Sequence, residues 1–320
     1  MGGSDMHHKR RDFIKTLGLG TAGILSLSSF DLSELLAKND VFKLTILHTN
    51  DMHSHIDPFP NDHKKYAGLG GMAKRSALVK AMRIKNPHTL LLDCGDIFQG
   101  TPYFNYYGGE LEFKLMSEMG YDCATMGNHD FDNGLEGFKK MLPHAAFPFV
   151  TSNYDFSNTI LKDKTHLFKT FNRGPIKVGV FGIGIKLEGL VNKPAYGDTI
   201  HLDEIETANK MAKQLKDLGC DLVICLSHIG FKYDYKKLSD QDLVKGTENI
   251  DLILGGHTHT FLDTPVQLAN KNNEPVLVNQ AGWAGLVLGQ IDFFFDKSSK
   301  KKLDDETSLL LNKNCATKII

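Results

Sequence analysis

Side chains that suit divalent cations recur at five places in this 320-residue chain. They are aspartate, asparagine and histidine residues, and they occur in the segments Asp51-Met52-His53, Gly95-Asp96, Gly127-Asn128-His129-Asp130, Ser227-His228 and Gly256-His257-Thr258-His259. Carboxylate, imidazole and amide donors, with no thiolate among them, favour Zn²⁺, Mn²⁺ or Fe. The sequence therefore predicts a metal centre assembled from distant parts of the chain.

Nearly all of these segments lie just after a short apolar run. The runs are residues 42–47, 89–92, 123–126, 222–226 and 252–254. Helical patterns separate many of them, including residues 71–85 and 203–218, and further strands are predicted at 177–183, 276–279 and 286–295. This alternation is typical of an α/β sheet, in which ligands gather at the carboxyl ends of the strands. We expect the five segments to meet there.

Spacing within the segments predicts how they share the ions. Asp51 and His53 are two positions apart, as are His257 and His259. Side chains at that spacing on an extended segment point the same way, so each pair is expected to contact one ion. Two dications about 4 Å apart repel by roughly 17 kcal/mol at an effective dielectric of about 20, so anions must lie between them. Asp96, central in the set, is the expected bridge.

The order and flanks of the five motifs resemble a known family. The motifs are LHTNDMH at 47–53, DCGDIFQGT at 93–101, MGNHDFD at 126–132, LSHIG at 226–230 and GGHTH at 255–259. Over about residues 42–296 the chain resembles the metallophosphoesterase superfamily, specifically the metal-binding domain of the secreted 5′-nucleotidases. An Asp-x-His or a Gly-Asp alone is common, whereas five motifs in this order are specific. The resemblance implies a four-layer α/β/β/α sandwich.

Residue by residue, the resemblance implies two divalent cations and a catalytic pair. One ion is assigned to Asp51, His53, Asp96 and His259. The other is assigned to Asp96, Asn128, His228 and His257. His129 and Asp132 form the implied pair, with His129 outside the metal ligands and facing the phosphate. Water activated by the metals would attack phosphorus, while His129 stabilises the transition state and protonates the leaving oxygen.

Less specific interpretations stand beside this one. For His129 and Asp132 the alternative is an ordinary capping pair in the first turn of a helix. Ser227 lies beside His228, but the Gly-x-Ser-x-Gly elbow of serine hydrolases is missing. We predict that His48 and Asp130 support the site without binding metal. We predict that three further histidines are solvated and take no part in it: His144, His166 and His201.

Composition limits the class of partner. The chain has 37 Lys and Arg against 38 Asp and Glu, a net charge of −1, and 41% hydrophobic residues. These values predict a globular enzyme with a sizeable core. They offer no basic face for a nucleic-acid polymer, so the expected substrate is a small molecule.

The N-terminal region resembles a twin-arginine export signal. Lys9-Arg10-Arg11-Asp12-Phe13-Ile14-Lys15 precedes a mildly apolar stretch, residues 16–30, that is too short and too rich in Gly and Ser for a transmembrane helix. We predict a signal segment at 1–37, with residues 1–5 as a cloning remnant, a catalytic domain at 38–296 and a polar tail at 297–320. The protein is expected in the periplasm or cell envelope, touching the membrane only through an uncleaved signal. The alternative is a basic N-terminus without a signal function.

Substrate choice stays open at this point. Secreted 5′-nucleotidases of this type continue into a second domain that stacks the nucleobase, whereas here we expect only a polar tail after residue 296. A separate domain supplying specificity in trans is one expectation. The leading substrate is a phosphate monoester, most simply a 5′-nucleotide. Cyclic-nucleotide phosphodiesters, dinucleotide pyrophosphates and thiosulfonate esters are alternatives for the same site, and a non-catalytic binding module is the alternative from another class.

Overall fold

A computed structural model of the chain describes residues 41–297, 300 and 302, and the backbone of residues 317 and 318. The predicted signal segment, residues 1–37, lies outside the described residues, as does most of the predicted tail. Within the described part, no helix combines the length and the apolar character needed to cross a bilayer.

Strands and helices alternate along the described chain. The strands are β1 (Val41–Thr49), β2 (Thr89–Asp93), β3 (Cys123–Ala124), β4 (Tyr154–Asp155), β5 (Phe168–Arg173), β6 (Ile176–Gly184), β7 (Ile200–His201), β8 (Leu222–His228), β9 (Leu252–Leu254), β10 (Val266–Ala269), β11 (Pro275–Asn279), β12 (Val287–Asp296) and β13 (Thr317–Lys318). The α-helices are α1 (Met72–Lys85), α2 (Pro102–Tyr107), α3 (Glu110–Met119), α4 (Gly134–Met141), α5 (Lys193–Tyr196), α6 (Glu204–Asp217) and α7 (Asp240–Gly246). Short 3₁₀ helices occupy His129–Phe131 and Leu142–His144.

Two larger sheets carry these strands. One has the order β13-β12-β1-β2-β3, and β1, β2 and β3 in it are parallel. The other has the order β10-β11-β9-β8-β6-β5, in which β11, β9, β8 and β6 are parallel and the edge strands β10 and β5 are antiparallel to their neighbours. A two-stranded sheet pairs β4 with β7. Strand β13 lies within the predicted tail and pairs with β12.

Apolar side chains on both faces of the strands produce four layers. In β8, Leu222, Ile224 and Leu226 belong to a cluster that also contains residues of β1 and β2, so this cluster fills the space between the two sheets. Val223 and Cys225 of β8 point the other way, into a cluster with residues of α6 and α7. A third cluster joins the other sheet to α1, α3 and α4. The layers are helices, sheet, sheet and helices, which confirms the predicted α/β sandwich.

The predicted elements form with small changes at their ends. Helix α6 starts where expected because the Asp203 carboxylate accepts a hydrogen bond from the backbone N–H of Glu206 at 2.8 Å. Strand β3 is shorter than the predicted run, residues 123–126, because the chain turns after Ala124 into the loop that carries Asn128. The edge strands β5 and β10 did not stand out in the sequence, since their residues are largely half-exposed or exposed.

One of the three histidines predicted to be solvated is not. The side chain of His201 in β7 is only 18% exposed, and its Nε2 lies 3.1 Å from Nδ2 of the buried Asn153. Burial follows from the pairing of β7 with β4, which the sequence did not predict. His166 is exposed as expected, and His144 is partly exposed.

Candidate metal centre

All five ligand-bearing segments meet at the carboxyl ends of parallel strands. The strands β1, β2 and β3 of one sheet lead into the first three segments, and β8 and β9 of the other sheet lead into the last two. Backbone hydrogen bonds join neighbouring loops: the N–H of Asp51 donates to Gly95 O at 2.9 Å and the N–H of His53 donates to Asp96 O at 3.0 Å. The two sheets therefore bring together residues more than 200 positions apart.

A first group of potential ligand atoms comes from Asp51, His53 and His259, and these atoms all lie within 4.8 Å of one another. His259 Nε2 is 3.3 Å from Asp51 Oδ1, and His53 Nε2 is 3.9 Å from the same oxygen. His53 Nε2 and His259 Nε2 face each other at 3.0 Å. Asp51 and His53 are buried, whereas the His259 side chain is 40% exposed.

A second group comes from Asp96, His228 and His257, again within 4.8 Å. His228 Nε2 lies 3.1 Å from Asp96 Oδ2. The amide oxygen of Asn128 is 2.8 Å from His257 Nδ1, which places Asn128 beside this group. The structure thus brings together all seven of the predicted metal-ligating residues, divided as the resemblance implies.

Asp96 reaches both groups. Its Oδ2 is 3.1 Å from His228 Nε2 in the second group and 3.9 Å from His53 Nε2 in the first. Its carboxylate therefore faces both groups. The opposite oxygen, Oδ1, accepts the backbone N–H of His129 at 2.7 Å, which fixes the orientation of the carboxylate.

The prediction from residue spacing that His257 and His259 contact the same ion is wrong. His257 and His259 belong to different groups. Their backbones have φ values of 73° and 51°, in the left-handed region, so the segment is not extended and the rule for side chains two apart on a strand does not apply. Asp51 and His53 also have positive φ, 50° and 46°, yet their side chains do converge. Their convergence comes from the loop conformation and not from an extended strand.

Gly127 shows how tightly these loops pack. A methyl group at this position would lie 2.2 Å from Asp96 Oδ1 and 2.6 Å from His228 Cε1. Both contacts are far inside van der Waals distance. Glycine is therefore required for the third loop to approach the second ligand group.

Asp130 holds two of the loops together, which agrees with its prediction as a supporting residue. Its buried carboxylate accepts four backbone N–H groups at 2.8 to 3.2 Å, from Asp96, Ile97, Phe98 and Gly127. Burial and the charge of Asp96 raise its pKa to about 7, while the Gly127 and Phe98 N–H groups favour the carboxylate form. His48, the other predicted supporting residue, is fully buried and faces Asn279, with Nε2 3.2 Å from Nδ2.

The His129 and Asp132 side chains form the predicted pair at the edge of the groups. His129 Nδ1 lies 2.9 Å from Asp132 Oδ2, and both side chains are about one-third exposed. The hydrogen bond to Asp132 raises the pKa of His129. The ring of His129 is 5.3 Å from that of His53, between centroids. His129 is the first residue of a 3₁₀ helix, as in the capping alternative. No side-chain hydrogen bond caps that helix at its N-cap residue, Asn128.

The charges and donors of the two groups fit divalent cations. Burial disfavours a charged His228, but the Asp96 and Asp51 carboxylates outweigh it and raise the pKa of His228 to about 10. Burial lowers the pKa of His257 to about 4. His228 Nε2 is buried and has no hydrogen bond of good geometry within the described residues. Buried carboxylates, an orphaned imidazole nitrogen and two imidazole nitrogens facing each other are the arrangement that cations between them would satisfy.

A cavity of about 430 Å³ opens over both groups. The predicted residues that line it are His53, Asp96, Asn128, His129, His257 and His259. Four further residues that the sequence analysis did not single out also line it: His55, Gln99, Gly100 and Trp283. Trp283 follows β11, at the same sheet edge as the ligands, so its position after a strand was a usable signal.

Comparisons with known proteins agree with this geometry. Residues 44–261 match the family model described as calcineurin-like phosphoesterase. A snake venom 5'-nucleotidase of Gloydius brevicauda is 34% identical over 294 residues, covering 85% of this chain and 49% of that protein. The crystal structure of a 5'-nucleotidase precursor from Thermus thermophilus superposes with a TM-score of 0.74 at 30% identity, covering 82% of this chain and 53% of that one. The NAD nucleotidase of Haemophilus influenzae gives 0.70 at 28% identity, with 82% and 48% covered. The chain thus spans about half the length of these relatives.

Proposed function

Because this chain belongs to the calcineurin-like phosphoesterase family, we propose that it hydrolyses phosphate monoesters with two divalent cations, and that 5′-nucleotides are its substrates. The observation that carries the proposal is Asp96, whose carboxylate lies within 4 Å of imidazole nitrogens in both ligand groups. A carboxylate in that position lowers the repulsion between two cations held close together.

We assign each ion four protein ligands. The first ion takes Asp51, His53, Asp96 and His259, and the second takes Asp96, Asn128, His228 and His257. Zn²⁺, Mn²⁺ and Fe suit this donor set. When bound, the cations would stabilise negative charge on the phosphoryl oxygens. They would also lower the pKa of a bound water, so that hydroxide is available for attack at neutral pH.

We assign to His129 the role of general acid, which donates a proton to the leaving oxygen. Its Nδ1 faces Asp132, so its Nε2 is the nitrogen available to the cavity that His129 lines. Asp132 holds the ring and raises its pKa, which favours the protonated imidazolium. His129 therefore donates from Nε2 to the leaving oxygen and stabilises negative charge on the phosphoryl group before the donation.

The nucleotide substrate rests on the relatives. The names of the snake venom and Thermus proteins specify 5'-nucleotidase activity. A second candidate is the pyrophosphate bond of a dinucleotide, because the Haemophilus relative is an NAD nucleotidase. Both reactions are attack of water on phosphorus, and they differ in the leaving group that the cavity must admit.

A substrate panel tests the proposal. Purified protein loaded with Zn²⁺ or Mn²⁺ is given AMP, NAD, cyclic AMP and a thiosulfonate ester, and products are separated by chromatography. We expect adenosine and phosphate from AMP at the highest kcat/KM. AMP as a product of NAD would favour the second candidate, and no metal-dependent turnover of any ester would refute the hydrolase.

A further inference from the structure

His259 differs from His53 and His228 in how its ring is held. His53 Nδ1 is 3.4 Å from Phe98 O, and His228 Nδ1 is 2.6 Å from Cys94 O. Among the described residues, no hydrogen bond involves Nδ1 of His259. Metal-binding histidines depend on a partner at the second nitrogen to fix the ring, and His259 lacks one.

An aromatic stack takes the place of that hydrogen bond. The ring of Trp283 lies parallel to that of His259, with an interplanar angle of 6° and 5.6 Å between centroids. This offset, parallel arrangement is the favoured geometry for two aromatic rings. The His259 side chain is 40% exposed, and its other ring contact among the described residues is with His53 of the same ligand group, 5.0 Å away between centroids at 65°.

Trp283 is itself fixed relative to the first ligand group. Gly282 O accepts Asn50 Nδ2 at 2.6 Å, and the backbone N–H of Ala284 donates to Asp51 O at 2.7 Å. The loop that carries Trp283 is thus fastened, on both sides of the tryptophan, to the segment that provides Asp51. The backbone N–H of Gly282 also donates to Thr260 O at 2.9 Å, which ties the same loop to the residue after His259.

A cluster of rings supports the other edges of Trp283. His55, Phe59 and Tyr66 lie steeply inclined to the indole, at 72° to 82°, with centroids 5.3 to 6.5 Å away. No ring contact of the described residues links Tyr66 or Phe59 to His259. Removing the Tyr66 ring therefore leaves the contact between Trp283 and His259 in place.

From these contacts we infer that Trp283 is a positioning residue that acts through His259 on one of the two cations, the ion of the Asp51, His53 and His259 group. The inference rests on the proposed function, because it requires two bound ions. Stacking of this kind changes a binding constant by about two- to twelvefold. The second group, Asp96, His228 and His257, has no contact with Trp283 among the described rings and should not respond.

Metal titration of three variants tests this. Both dissociation constants are measured for the full chain by competition with a chromogenic chelator, using Zn²⁺ and then Mn²⁺. In Trp283→Leu we expect one dissociation constant to rise about three- to tenfold and the other to stay within about twofold. Trp283→Phe, which keeps a ring over His259, should restore both. Tyr66→Leu, which leaves the stack in place, is the matched control and should change neither.

Several outcomes would overturn the inference. They are unchanged constants in Trp283→Leu, equal weakening of both ions, failure of Trp283→Phe to restore binding, or an effect of Tyr66→Leu as large as that of Trp283→Leu. If the unaltered protein bound fewer than two ions, the proposed function itself would fail, and that result is distinguishable.

The unaltered protein offers an independent measurement, in case Trp283→Leu does not fold. Trp283 is the single tryptophan of the chain, so its emission reports this loop alone. We expect the fluorescence to change with one metal equivalent and to stay constant with the other. Equal changes for both equivalents, or none for either, would contradict the inference.

Discussion

The carboxylate of Asp130 accepts the backbone N–H of Asp96 at 3.0 Å, across 34 residues of sequence. In return, Oδ1 of Asp96 accepts the backbone N–H of His129, the residue before Asp130. The two hydrogen bonds couple the loop after β2 to the loop after β3. The proposed bridging ligand and the proposed proton donor are therefore held by the same pair of contacts.

Metal removal and Asp96 give the first prediction. Activity should disappear after EDTA treatment and return with Zn²⁺ or Mn²⁺. Asp96→Asn should lower kcat/KM by at least about 100-fold and reduce bound metal, because it removes negative charge from between two cations. The exposed Asp163→Asn is the control and should be neutral. Full activity in metal-free protein, shown by elemental analysis, would exclude the two-metal mechanism.

His129 gives the second prediction. His129→Asn should lower kcat by about 10² to 10⁴ for AMP, since an alkoxide leaving group needs a proton. The loss should be smaller for p-nitrophenyl phosphate, whose phenolate leaves without one. Steady-state kinetics on both esters decide this. Equal losses would leave His129 only a role in charge stabilisation, and no loss on either would remove it from the mechanism.

The third prediction concerns the four hydrogen bonds to Asp130. Asp130→Asn should lower the free energy of unfolding by about 2 to 4 kcal/mol, because an amide cannot accept all four buried N–H groups. Thermal and urea unfolding of the metal-free protein measure the loss. Metal affinity should also fall, since Asp96 is no longer fixed. Asp163→Asn again serves as the comparison, and a variant as stable as the parent would show that the four contacts contribute nothing.

Export gives the fourth prediction, which depends on sequence alone. Replacing both Arg10 and Arg11 with Lys should leave the protein in the cytoplasm of a bacterial host, because the twin-arginine pathway reads that pair. Fractionation of cells expressing each form tests it. Replacing Lys9 with Arg is a control that preserves the pair. Unchanged export of the double variant would show that the motif is accidental.

The residues of the sequence predicted the buried strands and the meeting of five polar segments at their ends, and the resemblance to a family implied the four layers and the ligand set. Runs such as Leu222 to Leu226 are apolar at every position, and a strand buried on both faces is the structure that uses them all. Carboxylates and imidazoles directly after such runs cannot be buried without partners, so they were expected together at the strand ends. That reasoning needs only the alternation of side chains between the two faces of a strand and the free-energy cost of burying polar groups.

Only the tertiary structure decided how the ligands are held in place. Residue spacing alone put His257 and His259 on one ion, but they belong to different groups, because the rule for extended strands does not apply to a loop with left-handed φ values. Asp130 meets the loop after β2, and Trp283 meets His259, through contacts made when the chain brings distant loops to the same sheet edge. Such contacts depend on the angle at which each loop leaves its strand, and that angle is fixed by hydrogen bonds between loops far apart in sequence.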